Sequence, residues 1–382
     1  MSETIDFNDI RPYNDDEVPD AIKRVSESVY FQEVVKYIFS DADLRVFTEN
    51  FRKINTVDEF QVQVMDKVIR TILSQTASGF SYSGFGQLSN EKSYTFLSNH
   101  RDILLDSAVL QITLHECGLK TSEITFGSNL MSSQFVIDIG KLNKMFKIVR
   151  GGTMREIFNN SVRVSQYMRY AVTQKHQSTW IAQRNGRAKN GFDSTEVAVL
   201  KMFAMSSSAA FVPNLTALNI TPLVVSYEYE PCDFLKTREL YISKRKQYVK
   251  SPDEDVKSII QGVRQWKGAI HLAVCKPITE EELKQCDTFS HNEKFKHLAE
   301  IIDKKIYQNY KLYKTNYIAH DLLHNSQTYI SYYSKEEKEA FQHYMSSGLK
   351  NIEGETNELE TLFLQIYATP CSFVHKNCCG KN

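Results

Sequence analysis

The sequence predicts an α/β fold: a mixed, mostly parallel sheet flanked by helices, with added helical segments at the N- and C-terminal ends. Three observations carry this. Five short apolar runs of strand length lie between residues 94 and 275, helical periodicity fills much of the sequence between them, and helical periodicity dominates both ends. With 382 residues, 42% of them hydrophobic and 12% aromatic, the chain can bury a sizeable core, which excludes disorder.

Taken in order, the acidic, polar start "MSETIDFNDIRPYNDDEVPDAI" fits neither a signal nor a transit peptide. Asp20 to Phe39 carries Ile22, Val25, Val29, Val34 and Ile38 at roughly helical spacing, and Val62 to Leu73 repeats the pattern. The stretch "SGFSYSGFGQLSN" (78–90) is the clearest breaker and the expected domain boundary. Strands are expected at Tyr94–Leu97, Lys147–Val149, Ser178–Gln183, Ile220–Tyr229 and Gly268–Cys275, and helices at Ile103–Cys117 and Met154–Val172. Beyond Glu280 the pattern is helical to about Tyr367, before a frayed-looking tail, "SFVHKNCCGKN". The expected division is a helical region 1–78, an α/β domain 79–280 and a helical region 281–382.

Composition narrows the function. Lys plus Arg equal Asp plus Glu at 46 each, so a general attraction to nucleic acid has no support and any anion site must be local. The seven cysteines are scattered and odd in number, which points to a reduced, cytoplasmic setting and to no metal site. Val197 to Val212, the nearest approach to a spanning segment, is broken by Lys201 and Ser206-Ser207-Ser208, so any membrane contact is expected to be peripheral.

The chemistry concentrates in "SYTFLSNHRDILLDS" (93–107). His100 falls just past a strand, where ligand sites of open α/β sheets lie. A histidine beside a carboxylate is a general-base pair, the carboxylate fixing the tautomer. Asp102 and Asp106 are both candidate partners, and Asp102 serves equally as a helix cap. The triplet His100-Arg101-Asp102 also opens a kinase catalytic loop, but the asparagine that loop needs five residues on is Ser107 here, and no glycine-rich phosphate loop with a strand lysine precedes it.

The segment resembles the His-Asp motif of the glycerolipid acyltransferases, which include glycerol-3-phosphate and lysophosphatidate acyltransferases. The family usually places four residues between His and Asp; "NHRDILLD" places five between His100 and Asp106. Three further segments follow in the family's order: "KMFKIVRGG" (144–152) ending on Arg150, "WIAQRNGRAKNG" (180–191) with Gly186, Arg187 and Lys189, and "NITPLVVSYEYEP" (219–231) with Pro222. "KGAIHLAVCKPI" (267–278) resembles the strand that comes next, so the likeness covers 93–278, and Asn185 stands where the family has glutamate. The resemblance, to a divergent bacterial branch, implies an enzyme moving a fatty acyl group from a coenzyme A or acyl carrier protein thioester to a hydroxyl of an anionic lipid precursor. It implies His100 as base, Asp106 or Asp102 as its partner, Arg150, Gly186, Arg187 and Lys189 at the acceptor's anion, Pro222 on the acyl side, no cofactor, and a membrane surface as partner. An N-acyl amino acid is the alternative acceptor, and a non-catalytic lipid-binding scaffold the alternative of another class. The 197–211 helix is a candidate wall for the acyl chain, and the lysine- and tyrosine-rich 301–317 a candidate lipid-facing surface, each weighed against ordinary packing or a solvated face.

Overall fold

The computed structural model describes residues 6–39, 43–251 and 253–378. Helices α1 (Val18–Glu27), α2 (Val29–Ile38), α3 (Leu44–Phe51) and α4 (Val57–Phe60) lead through a π-helical turn, Gln61–Met65, into α5 (Asp66–Thr76). The single helix expected from Asp20 to Phe39 is two. Ser28 adopts an extended conformation and its hydroxyl accepts from the Tyr30 amide, which ends one helix and caps the next.

Seven strands form one sheet: β1 (Ala77–Ser83), β2 (Thr95–Ser98), β3 (Glu123–Gly127), β4 (Met145–Ile148), β5 (Thr179–Ala182), β6 (Ile220–Tyr227) and β7 (Gly268–Val274). Their order is β1-β7-β6-β2-β5-β3-β4, and every neighbouring pair is parallel except β6 with β7. Between the strands come α6 (Leu105–Glu116), α7 (Gln134–Leu142), α8 (Met154–Thr173), α9 (Val197–Ala204), α10 (Phe211–Thr216), α11 (Asp233–Ser243) and α12 (Glu254–Arg264). After the sheet come α13 (Glu280–Asp287), α14 (Glu293–Asn309), α15 (Lys314–Leu323), α16 (Lys335–Leu349) and α17 (Thr356–Cys378).

Two strands were not expected. The glycine-serine stretch begins with β1, an edge strand whose half-exposed side chains need no apolar face, and it pairs in parallel with β7. β3, "EITFG", looks too polar for a buried strand. Its Glu123 is nonetheless 1% exposed, accepting from Tyr167 Oη at 2.6 Å and ion-paired with Lys175 at 2.6 Å. The tail is also more ordered than expected, since α17 continues to Cys378.

Both faces of the sheet are covered, as period-two alternation along the central strands requires. Leu97, Ile181, Ile220 and Val224 join the core beneath α8, α9 and α14; Phe96, Trp180, Leu223 and Val225 join the core beneath α5 and α6. This packing decides two expectations. Leu200 and Phe203 of α9 are buried in the first core, away from the site described below, and Ile302, Ile306, Tyr307 and Tyr310 of the 301–317 stretch face inward. Neither segment is the lipid-facing surface; packing won. Among the described residues no helix is long and apolar enough to cross a membrane.

Candidate active site

β2 lies between β5 and β6, so its carboxyl end opens at the centre of the sheet. Asn99 extends the pairing by one rung with its side chain. The amide nitrogen donates to the Val225 carbonyl at 3.0 Å and the amide oxygen accepts from the Val225 N–H at 2.8 Å. The chain then turns through His100, Arg101 and Asp102, and α6 begins.

Asp106, on the first turn of α6, holds this turn together. Its Oδ2 accepts from His100 Nδ1 at 2.9 Å and from the amides of Arg101 and Asp102 at 2.6 and 2.9 Å; its Oδ1 accepts from the Tyr227 hydroxyl at 2.8 Å. Four donors converge on one buried carboxylate, and the extra residue between His and Asp is absorbed by the bend that aims two amides at it. A carboxylate only accepts, so the imidazole proton sits on Nδ1 and Nε2 is left as the open, basic nitrogen. The same surroundings push the Tyr227 hydroxyl well above its usual range, through burial first and the Asp106 charge second. Asp102 takes the capping part, its Oδ1 accepting from Leu104 and Leu105 amides at 2.8 Å each. Its other oxygen is buried without a partner, against Gly262 of α12, where a Cβ would stand 2.3 Å away. Burial, then the Asp106 charge, raises the Asp102 carboxyl above the usual range.

Arg101 points away from the histidine and is 1% exposed. Its guanidinium donates to both oxygens of Asp193 at 2.6 and 3.1 Å, to Glu230 at 3.2 Å and to the Gly191 carbonyl at 3.0 Å. Lys236 completes the cluster, donating to Glu230 at 2.5 Å and to the Arg101 carbonyl at 2.9 Å. Such a cluster offsets its desolvation only because the charges and lone pairs are matched.

On the other side of the ring lies a cavity of ≈ 490 Å³. His100, Arg150, Gly186, Arg187 and Lys189 all line it. Asp106 stands behind the ring, and Pro222 lies within β6, outside the lining, with its carbonyl accepting from the Cys275 amide at 2.9 Å. Arg184, Trp180, Glu239, Tyr248, Lys250 and Asp255 also line the cavity. Apart from Trp180 and Arg184, which lie in the 180–191 motif, no motif signalled them. The loop after β5 is strapped beneath the histidine by Ala188 N–H donating to the His100 carbonyl at 2.8 Å. Gly186 takes φ +76° with open space where a side chain would be, and the Glu196 carboxylate accepts from the Asn185 amide at 3.1 Å.

The cavity's cations are unevenly neutralised. Lys189 is paired with Glu239 and Lys250 with Asp255, whereas Arg150, Arg184 and Arg187 make no salt bridge among the described residues. Burial pulls Arg150 and Lys189 below their usual ranges, and the Arg187 charge pulls Lys189 further. A pocket that keeps three guanidiniums without carboxylates suits an anionic ligand. Apolar side chains of Ile103, Leu104, Phe126, Leu130, Met145 and Ile259 form the rest of its wall. Among the described residues no cluster of histidine, cysteine or carboxylates is arranged to hold a metal.

No protein-family model matches the chain, and no curated protein matches it. Among solved structures it is similar to the 1-acyl-sn-glycerophosphate (LPA) acyltransferase PlsC from Thermotoga maritima, with 11% identity and a TM-score of 0.39 over 76% of this chain and 93% of that one. The functional reading rests on the residues of the site.

Proposed function

We propose that the chain is an acyltransferase that moves a fatty acyl group from a coenzyme A or carrier-protein thioester to a hydroxyl of an anionic lipid precursor such as glycerol 3-phosphate or lysophosphatidate. The observation that carries this reading is His100, oriented by Asp106 through Nδ1, on the wall of a cavity that also presents unpaired guanidiniums and an apolar lining. His100 Nε2 takes the acceptor's hydroxyl proton as its oxygen attacks the thioester carbonyl; the C–S bond then breaks and the leaving thiolate receives that proton. Asp106 stabilises the imidazolium formed in between. Arg150 and Arg187, with Arg184 and Lys189 beside them, hold the acceptor's anion so that its hydroxyl meets the ring, which converts binding into orientation.

The acceptor is drawn from a membrane surface. Met154, Ile157 and Phe158, spaced i, i+3 and i+4 at the start of α8, are 82%, 43% and 57% exposed, and they begin four residues past Arg150 on the cavity wall. An exposed apolar face on one side of a helix beside a lipid-sized cavity suits contact with a bilayer.

The test is release of free thiol from palmitoyl thioesters offered with glycerol 3-phosphate, lysophosphatidate or an N-acyl amino acid. His100→Ala is expected to lower kcat at least ~100-fold. An unchanged rate in that variant, or no turnover of any acceptor by the unaltered protein, sinks the reading; lipid binding without turnover would identify a scaffold instead.

A further inference from the structure

Asp255 is placed oddly for a cavity built to receive an anion. It sits on the first turn of α12 and lines the cavity with a side chain only 16% exposed. Its carboxylate pairs with Lys250 and accepts from Asn129 Nδ2 at 2.8 Å, spanning from α12 to the loop after β3. It also bears electrostatically on Arg150 and Arg187, the two guanidiniums of the proposed acceptor site. Although burial opposes it, the hydrogen bond and charge of Lys250, with Asn129 and Arg187, hold its carboxyl below the usual carboxylate range, so it stays ionised.

We infer that the Asp255 carboxylate is an internal stand-in for the ligand's anionic group: it occupies the cations while the cavity is empty and is displaced when a phosphate or carboxylate enters. The inference rests on the reading of the cavity as an acceptor site and adds how that site is tuned. Five cationic side chains and two carboxylates line the cavity, leaving three positive charges in excess. Without Asp255 the pocket would hold small anions of every kind. With it, a ligand has to outcompete a tethered carboxylate, which favours the more highly charged phosphate over a single carboxylate. Glu239 differs: it is matched to one lysine, Lys189, and has no printed contact with either guanidinium.

Asp255→Asn keeps the shape and the acceptor oxygen for Asn129 while removing the charge. Titration of the full chain with inorganic phosphate, followed by calorimetry, is expected to show binding about tenfold tighter in Asp255→Asn than in the unaltered protein. The preference for phosphate over acetate should narrow at the same time, and Arg150→Ala should weaken binding. Phosphate binding that is unchanged or weaker in Asp255→Asn overturns the inference, as does failure of both proteins to bind phosphate. No thioester is involved, so the result stands apart from acyl transfer: tighter phosphate binding without turnover would sink the enzymatic reading and leave the role of Asp255 standing.

Discussion

Arg101 and Arg187 lie on opposite sides of one histidine and are treated in opposite ways. Behind the imidazole, Arg101 is sealed between Asp193 and Glu230, with Lys236 as a second cation on the same carboxylate. In front of it, Arg187 is 7% exposed yet has no salt bridge, and its Nη1 is buried without a hydrogen-bond partner. Equal chemistry with unequal neutralisation separates architecture from function. The rear cluster is complete as it stands and fixes the turn, whereas the front one is incomplete until something negative arrives.

The largest effect expected from this contrast comes from breaking the rear cluster. Arg101→Met leaves Asp193 and Glu230 with less than their full complement of cations in a dry interior, and urea unfolding should show a loss of about 3–5 kcal/mol. The paired experiment is Arg187→Met, which should change stability by less than about 1 kcal/mol while raising the KM of an anionic acceptor roughly 10–100-fold. Equal destabilisation by the two would erase the distinction drawn here.

A smaller effect is expected at the seam between the two sides. Tyr227→Phe removes one of four donors to Asp106 and should cost about 1–2 kcal/mol of stability and roughly 5–10-fold in kcat, with little change in KM. Because Asp106 then attracts a proton on the imidazole more strongly, the acid limb of the rate profile should move to higher pH; a merely structural tyrosine would leave that limb in place.

The smallest effect tests whether every cation near the turn has been matched. Lys267 is fully buried, donates to Thr76 Oγ1 and the Gln265 carbonyl, and is pushed down to about 8 by burial. Its folded value lies below the unfolded one, so the folded chain binds fewer protons between about 8 and 10.5 and stability gains as pH rises through that window. Below about 8 the buried ammonium is a constant cost. Lys267→Met should therefore raise Tm by ~2 °C at pH 7, and the gain should shrink towards pH 10, as followed by thermal scans at both values.

Much of this arrangement was legible in the sequence, for identifiable reasons. The apolar strands from Tyr94 to Cys275 announced the sheet because buried parallel strands read as continuous hydrophobic runs. The His100–Asp106 relation was legible as a pair of candidates only; choosing Asp106 over Asp102 took the bend of the turn, which spacing does not record. β3 escaped because Glu123 is polar by type and apolar by location, its charge cancelled by a tyrosine and a lysine from elsewhere. Tyr248, Lys250 and Asp255 escaped because they come from the connection around the start of α12, well away in sequence from the other cavity residues. Arg150, Gly186, Arg187 and Lys189 were visible as basic or glycine positions after strands, which is where an α/β sheet collects its ligands.

Helix α12 touches this site at two depths. Its first turn carries Asp255 into the cavity, and seven residues on Gly262 rests on the orphan oxygen of Asp102, beneath the bend that carries the imidazole. A rod seated at both points transmits displacement, so the arrival of a head group at one end is felt as pressure under the proton acceptor at the other.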